Sequence, residues 1–494
     1  SLSLAVSVSQ CVLASAVCLC GHGAWCASQD VTVRTALNEK HVCVVPMRLT
    51  DATFVAIDMD FTLVSYRADA LVPLVRGLCL RYLVQEEGYC RELLEVEPLF
   101  PCERPGYCVD LRLGIVFQLD GEHRPRRAYR GTTALSDEEV EALYQGDVEF
   151  WEWDVVEPHY FVPPPLPPHS TQDSTHIGGG GSADAAHSEE KPHQRVDRLV
   201  EEHRESRFQM FWTYFDCCLP GVFAHLAAQG EQSEKAFHRY LLSLKRSIFA
   251  MYTSFEDSPF FKTLREETSR FVHKAPEEKQ ALKRLLDHGV KLVLITNSLP
   301  EFTNLLMRFA YGEDWESMFS MVVVRARKPV FWTGENPFFA LNVHEVSRWH
   351  DLVETQVEVP CLDGGRQYYM RGNNVGLMSA LQEFLDTTQP DSALSPWKLL
   401  YVGDHVQSDI AVPKKYCNHM TLCVATQVAG SIAENPLTDL LDFSSLSTSS
   451  MMIPQLTREY SDLIVPSLRS LLDFDVDHDF ASNLEPLTFA KEGV

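Results

Sequence analysis

Four short, mainly apolar runs stand out along the chain, and each gives way abruptly to polar residues. They are Phe54–Ile57 (FVAI), Lys291–Ile295 (KLVLI), Met321–Val324 (MVVV) and Leu399–Val402 (LLYV). Runs of this length, without polar alternation, fit strands buried on both faces of a parallel sheet. Helical patterns lie between them, beginning with Ala70–Tyr89, and strands alternating with helices predict an α/β fold. Gly114–Gly121 (GIVFQLDG) reads as a further strand and turn. From Asp197 to Lys274 the pattern is amphipathic and helical, with Phe208, Phe211, Trp212, Tyr214 and Phe215 expected to form core.

Two stretches break the pattern. Residues 163–193 carry PPPLPP, the Gly178–Gly181 run and scattered Ser, His and Glu. That composition cannot bury a core and reads as a disordered insert. His169, His176, His187 and His193 fall within it, where stable metal geometry is not expected. The glycine run lacks the Lys-Ser/Thr of a phosphate loop. After Gly430 the chain holds 11 acidic and 3 basic residues, a net of −8, and reads as an acidic tail with one helix near Tyr460–Leu472. Asp473, Asp475, Asp477 and Asp479 resemble a calcium loop, but His478 and Leu484 stand where the loop needs Gly and Glu.

The chain has 494 residues, enough for about three structural units at ~150 residues each. Its hydrophobic fraction of 45% is that of a globular protein, and its net charge of −25 argues against coating nucleic acid. The 14 cysteines form no C-x-x-C pair, so zinc fingers and thioredoxin-type sites lack support and a reducing, cytoplasmic setting is expected. Beyond residue 30 no stretch is long and apolar enough to cross a bilayer, so no membrane partner is expected. Ser1–Gln29 is uncharged and contains a short apolar run, Cys11–Cys20, without the basic residues that precede one in a secretory leader. It is given no functional weight.

The chemistry gathers at the ends of the apolar runs, where loops of a parallel sheet bring distant residues together. Asp58 and Asp60 follow the first run, Thr296, Asn297 and Ser298 the second, Lys328 and Pro329 the third. Gly403, Asp404 and His405 follow the fourth, with Asp409 five residues beyond Asp404. Two residues apart on extended backbone, Asp58 and Asp60 project to one side. One can attack phosphorus while the other protonates the leaving oxygen. Two carboxylates and a phosphate repel one another, so cations are needed. Lys328 supplies one, and Asp58 with Asp404 can hold Mg²⁺. Thr296 and Asn297 offer neutral donors to the remaining phosphoryl oxygens. His405 reads as a structural hydrogen-bonding residue.

The stretches DMDFTL (Asp58–Leu63), ITNS (Ile295–Ser298), RARKPVF (Arg325–Phe331) and YVGDHVQSDI (Tyr401–Ile410) resemble the haloacid-dehalogenase superfamily. More narrowly, they are similar to the cytosolic purine 5′-nucleotidase and 5′-nucleotidase domain-containing family, over Phe54 to Leu472. The resemblance implies Asp58 as nucleophile, Asp60 as general acid and then base, Thr296 and Asn297 as phosphate binders, and Lys328 as the lysine stabilising the intermediate. It further implies Mg²⁺ held by Asp58, Asp404 and the main-chain carbonyl of Asp60, with Asp409 supporting the metal shell. The implied architecture is a Rossmann-like parallel sheet with an inserted cap domain. Its parts would be an ill-defined segment at 1–49, core at 50–90, cap at 91–275, core again at 276–430 and the tail at 431–494.

The implied substrate is a nucleoside 5′-monophosphate, with phosphoryl transfer to a second nucleoside as a side activity, and the implied assembly a homo-oligomer. Two departures bear on the base. The purine-specific members carry an Asp and a His in the cap, and the matching stretch Gly221–Gly230 places Ala224 and Ala227 there. The family's Tyr-x-Gly-Gly segment appears as Tyr369-Met370-Arg371-Gly372-Asn373. The alternatives are a phosphatase of another small metabolite or phosphoprotein, and a non-catalytic interaction module using the tail and the proline-rich insert.

Overall fold

The computed structural model describes residues 42–43, 48–99, 105–144, 207–213, 215–252, 254–341, 367–388, 397–425 and 452–480. The insert at 163–193, with its four histidines, lies outside the described residues, as do Tyr214 and residues 1–41.

The strands in chain order are β1 (Val42–Cys43), β2 (Phe54–Ile57), β3 (Tyr107–Asp110), β4 (Ile115–Leu119), β5 (Pro125–Arg130), β6 (Thr133–Ala134) and β7 (Phe208–Phe211). They continue with β8 (Lys291–Ile295), β9 (Met321–Val324), β10 (Phe338–Leu341), β11 (Gln367–Arg371), β12 (Leu399–Gly403), β13 (Met420–Val424) and β14 (Leu463–Val465). Nine form one sheet in the order β1-β14-β13-β12-β2-β8-β9-β11-β10. The seven inner strands are parallel, and β1 and β10 pair antiparallel at the edges. The four apolar runs of the sequence are thus β2, β8, β9 and β12, and they are adjacent.

Their unbroken apolar character follows from burial on both faces. Phe54, Ala56, Val293, Ile295, Val323, Leu399 and Tyr401 enter one cluster, while Val55, Ile57, Leu292, Leu294, Val322, Leu400 and Val402 enter the other. β2 is central, with β12 on one side and β8 on the other. After β8 the chain builds outward on that side, then returns to build the other from β12. The strand order therefore reverses around β2, and a crevice at the carboxyl ends of its neighbours is the binding position of such a sheet.

Between β2 and β8 the chain forms a second, antiparallel sheet in the order β6-β5-β4-β3-β7. The helices Leu219–Gln229 and Glu234–Tyr252 accompany it. Here the sequence reading needs correction: Phe208–Phe211, predicted helical, is a strand paired with Tyr107–Asp110. A four-residue aromatic-rich run satisfies either period, and its pairing with β3 decides the outcome. Phe208 and Phe211 are buried, as a core role requires.

The tail also differs from its expectation. The helix lies at Met452–Tyr460, and Leu463–Val465 is a strand of the main sheet. This Leu-Ile-Val run covers the edge of β13 and is in turn covered by β1. Just before it, buried Asp462 receives Lys414 Nζ at 2.6 and 2.7 Å and the Thr421 backbone N–H at 2.8 Å. A chain truncated after residue 450 loses these contacts and bares a parallel strand edge. Its thermal midpoint should fall by on the order of 10 °C, or its cooperative transition disappear, in a circular-dichroism melt. A dispensable tail would leave the melt unchanged.

Candidate active site

The loops after β2, β8, β9 and β12 converge. Asp58 follows β2 directly, its N–H donating to Val402 O at 2.9 Å, which ties it to β12. The β8 and β9 loops are laced together: Arg325 N–H donates to Ser298 O (3.0 Å) and Ala326 N–H to Thr296 O (2.9 Å). Asn297 grips the Lys328 backbone from both sides, accepting its N–H at Oδ1 (2.7 Å) and donating from Nδ2 to its carbonyl (3.0 Å). Arg325 and Arg327 have positive φ, 48° and 66°, and the Lys328–Pro329 peptide is cis.

This loop delivers Lys328 Nζ to three oxygens: Tyr401 OH at 2.7 Å, Asp409 Oδ1 at 2.8 Å and Asp58 Oδ1 at 2.9 Å. The contact with Asp58 is an ion pair between two buried groups. Lys328, Asp58 and Asp409 are all buried. Asp409 sits in a π-helical turn, Val406–Ala411, which aims it back at the strand ends. Its Oδ2 accepts the His405 N–H at 3.2 Å, so both of its oxygens are engaged. A Cβ on Gly403 would lie 2.4 Å from Asp409 Cβ, and only glycine permits that approach. Asp404 accepts Thr62 Oγ1 at 3.2 Å. Oxygens of Asp58, Asp404 and Asp409 lie within 4.8 Å of one another.

Asp60 is held differently. Tyr66 OH donates to its Oδ1 and Ser298 Oγ to its Oδ2, both at 2.5 Å. Thr296 is fully buried, its Oγ1 accepting the Ser298 N–H at 3.1 Å. Asp58, Asp60, Thr296, Asn297, Lys328, Asp404 and Asp409, the catalytic, phosphate-binding and metal-site candidates of the sequence, thus come together at these strand ends. Asn297, however, spends its amide oxygen and one N–H on positioning Lys328.

The electrostatics are those of crowded, buried carboxylates. Burial pushes Asp58 up to about 8, with Lys328 pulling it down and Asp409 and Asp60 pushing it up. Asp404 is raised well above the carboxylate range by burial, then by Asp409 and Asp58. Burial also raises Asp60, against the pull of its Ser298 and Tyr66 hydrogen bonds. For Lys328 burial acts to lower the pKa, but Asp409 and Asp58 outweigh it and the net shift is upward. A cluster in which carboxylates outnumber the ammonium favours a further cation, and oxygens so spaced fit a divalent one.

A cavity of about 240 Å³ opens over these groups. Asp58, Asp60, Lys328, Thr296, Asn297 and Asp404 lie at one side, with Phe211, Trp212, Phe215, Tyr252 and Phe261 among its other walls. Gln209, Asp216 and Lys245 bring polar atoms to it. Lys245 Nζ donates to Gln209 Oε1 at 2.8 Å, and burial pushes its pKa well down. Asp216 accepts the Thr213 N–H and Oγ1, each at 2.9 Å, and burial raises it to about 7.

Ala224 and Ala227, offered by the sequence as the base-reading positions, are buried on the helix Leu219–Gln229 and do not line this cavity. Their lack of polar groups therefore says nothing about the base. The sequence reading assigned no role to Thr62, Tyr66, Tyr401, Gln209, Asp216 or Lys245. The signal for Lys245 was present: it shares the buried face of its helix with Leu241, Leu244 and Ile248, and a lysine in an apolar stripe needs a reason.

A family model described as the 5′ nucleotidase family matches residues 43–462, a span that takes in all four strand-end motifs. The chain belongs to that family. It is 25% identical over 399 residues to 5′-nucleotidase domain-containing protein 1 of Homo sapiens, covering 76% of this chain and 72% of that one. It is 26% identical over 402 residues to the Bos taurus protein of the same name, with the same coverage. To 5′-nucleotidase domain-containing protein 2 of Homo sapiens it is 26% identical over 371 residues, 74% of this chain and 58% of the other. This membership makes the chain an enzyme, a 5′-nucleotidase. Among the described residues no helix is long and apolar enough to cross a membrane.

The raised carboxylates carry a pH signature. A group whose pKa is higher folded than unfolded stabilises the fold fully below its unfolded value, and that contribution is lost as pH rises through the folded value. In EDTA, the thermal midpoint should therefore fall between about pH 5 and pH 8.5, and Asp58→Asn should flatten the fall. A midpoint that rises over this range, or a slope Asp58→Asn leaves unchanged, contradicts the raised Asp58.

Proposed function

We propose that this enzyme is a Mg²⁺-dependent phosphohydrolase that removes the 5′-phosphate of nucleoside monophosphates through an aspartyl-phosphate on Asp58. The observation that carries the reading is the Asp58 carboxylate itself. It stands at the end of the central strand, 2.9 Å from the Lys328 ammonium, on the wall of a cavity that also reaches Asp60. The core is read as haloacid-dehalogenase-like, and the antiparallel sheet with its helices as the cap.

In the first step an Asp58 oxygen attacks phosphorus and the bond from phosphorus to the ester oxygen breaks. The departing oxygen takes the proton of Asp60, leaving Asp60 ionised. In the second step Asp60 takes a proton from water, whose oxygen attacks phosphorus and displaces Asp58 as a carboxylate. Lys328 balances charge on Asp58 and on the phosphoryl group, while Thr296, Asn297 and neighbouring backbone N–H groups donate to phosphoryl oxygens. Asp58, Asp404 and the main-chain carbonyl of Asp60 would hold Mg²⁺, with Asp409 orienting Lys328 and the His405 backbone beside them. The ion supplies charge neutralisation at the phosphoryl oxygens when bound.

The aromatic walls suit a planar base, and Lys245 with Gln209 provides polar recognition within them. Cys79, Cys90, Cys108, Cys417 and Cys423 carry thiols rather than disulfides, which supports a cytoplasmic setting.

Phosphate release from a nucleoside monophosphate panel, with Mg²⁺ or EDTA, tests the reading. Asp58→Asn should lower Mg²⁺-dependent release by on the order of 1,000-fold or more. Equal turnover of sugar phosphates would sink the nucleotide assignment, and full activity of Asp58→Asn the mechanism. For recognition, Lys245→Met should raise KM for the preferred nucleotide by ~10-fold with a smaller change in kcat, the loss of one hydrogen bond in a desolvated site. An unchanged KM would remove Lys245 from substrate binding.

A further inference from the structure

We infer that Tyr66 is a positioning residue for proton transfer, one jaw of a clamp on Asp60 whose other jaw is Ser298. The inference rests on the reading of Asp60 as general acid and asks what aims it.

A carboxyl group on a single Cβ–Cγ bond rotates unless both oxygens are held. Both are held here, Oδ1 by Tyr66 OH and Oδ2 by Ser298 Oγ, each at 2.5 Å. The two hydroxyls come from different parts of the chain, one six residues beyond Asp60 and the other after β8. The plane of the carboxyl group is therefore set by the core rather than by its own rotamer. A carboxylate offers about four lone-pair sites, so two donors still leave sites that can face substrate.

The Tyr66 jaw is itself fixed. Its backbone bridges to Val272, and the flanking residues are tied to the same segment: His273 N–H donates to Ser65 O at 3.0 Å and Arg67 N–H to Phe271 O at 2.8 Å. Its ring lies 4.6 Å from the Phe61 ring and 5.6 Å from that of Phe215. Phe61 takes a positive φ of 56°, an uncommon backbone state for an aromatic residue, and thereby lies against Tyr66. Phe215 and Phe61 both line the cavity. Tyr66 is buried and absent from the cavity wall, so its hydroxyl reaches the reaction through Asp60.

Aim matters in proportion to how much the leaving oxygen needs a proton. An alkoxide or phenoxide departs slowly without one, whereas p-nitrophenoxide is stable enough to leave alone. The value of kcat/KM covers steps only through departure of that oxygen, so later hydrolysis of the aspartyl-phosphate does not enter it. Phenyl phosphate and p-nitrophenyl phosphate differ little in shape and greatly in leaving-group basicity.

The test is kcat/KM for a nucleoside monophosphate, phenyl phosphate and p-nitrophenyl phosphate, on wild type, Tyr66→Phe, Ser298→Ala and Asp60→Asn. Tyr66→Phe keeps the ring and its packing and removes only the donor. It should lose ~10–100-fold on the nucleotide and phenyl phosphate and no more than ~3-fold on p-nitrophenyl phosphate, part of the 10²–10⁴ that general acid catalysis supplies. Ser298→Ala should show the same selectivity and stands in for Tyr66→Phe if that variant does not fold. Equal losses on all three substrates, or no loss on any, overturn the clamp. If Asp60→Asn discriminates between the aryl phosphates and neither clamp variant does, only the inference fails. If Asp60→Asn does not discriminate, the general-acid reading fails and the inference with it.

Discussion

The structure turns on an ammonium group placed among carboxylates that cannot otherwise share a buried space. Lys328 Nζ lies within 3 Å of oxygens on Asp58, Asp409 and Tyr401, with almost none of the side chain exposed. Removing one partner from such a buried pair costs about 3–5 kcal/mol, because the other charge is left uncompensated. Each neighbouring constraint serves this contact. Asn297 fixes the backbone of Lys328, Gly403 admits Asp409, and the π-helical turn directs Asp409 toward the lysine. The sheet brings β2, β8, β9 and β12 side by side, so that loops hundreds of residues apart in sequence meet within a few ångströms.

The four central strands of the parallel sheet were legible because its physics writes a simple pattern. Strands buried on both faces must be apolar, and β2, β9, β12 and the buried part of β8 after Lys291 are. The chemistry at their ends was legible for a related reason: charged residues immediately after such runs have no structural use there unless they meet one another. β7 and β14 were not legible. Phe208–Phe211 and Leu463–Val465 are too short for periodicity to separate strand from helix, and each is decided by a partner edge distant in sequence, β3 or β13. Local propensity gives way to pairing in both.

Side chains that act on other side chains were also hidden. Tyr66 belongs to no periodic pattern, and only the fold shows that its hydroxyl lands on Asp60. Asn297 shows the converse, a residue found from its motif whose observed bonds go largely to the backbone of Lys328. The cap positions failed for a third reason. Assigning Ala224 and Ala227 assumed an ungapped correspondence across a region of helices, whereas the polar groups at the cavity come from β7, the turn after it and the helix Glu234–Tyr252.

The two sheets meet at the site as well as through the large apolar cluster that residues of both share. Val406, in the π-helical turn beside Asp404, packs in one cluster with Met452, Ile453 and Leu456 and with Cys108, Phe117, Phe208 and Met210 of the antiparallel sheet. The Trp212 ring lies 6.1 Å from that of His405, whose Nδ1 accepts the Ser408 N–H. The helix Met452–Tyr460 thus braces the segment that carries the acidic cluster against the strands that wall the cavity. The cavity wall at β7 and Trp212 therefore lies next to His405 and the turn that orients Asp409. Among the described residues, the apolar walls of the cavity and the turn at the acidic end thus belong to one packed set of side chains.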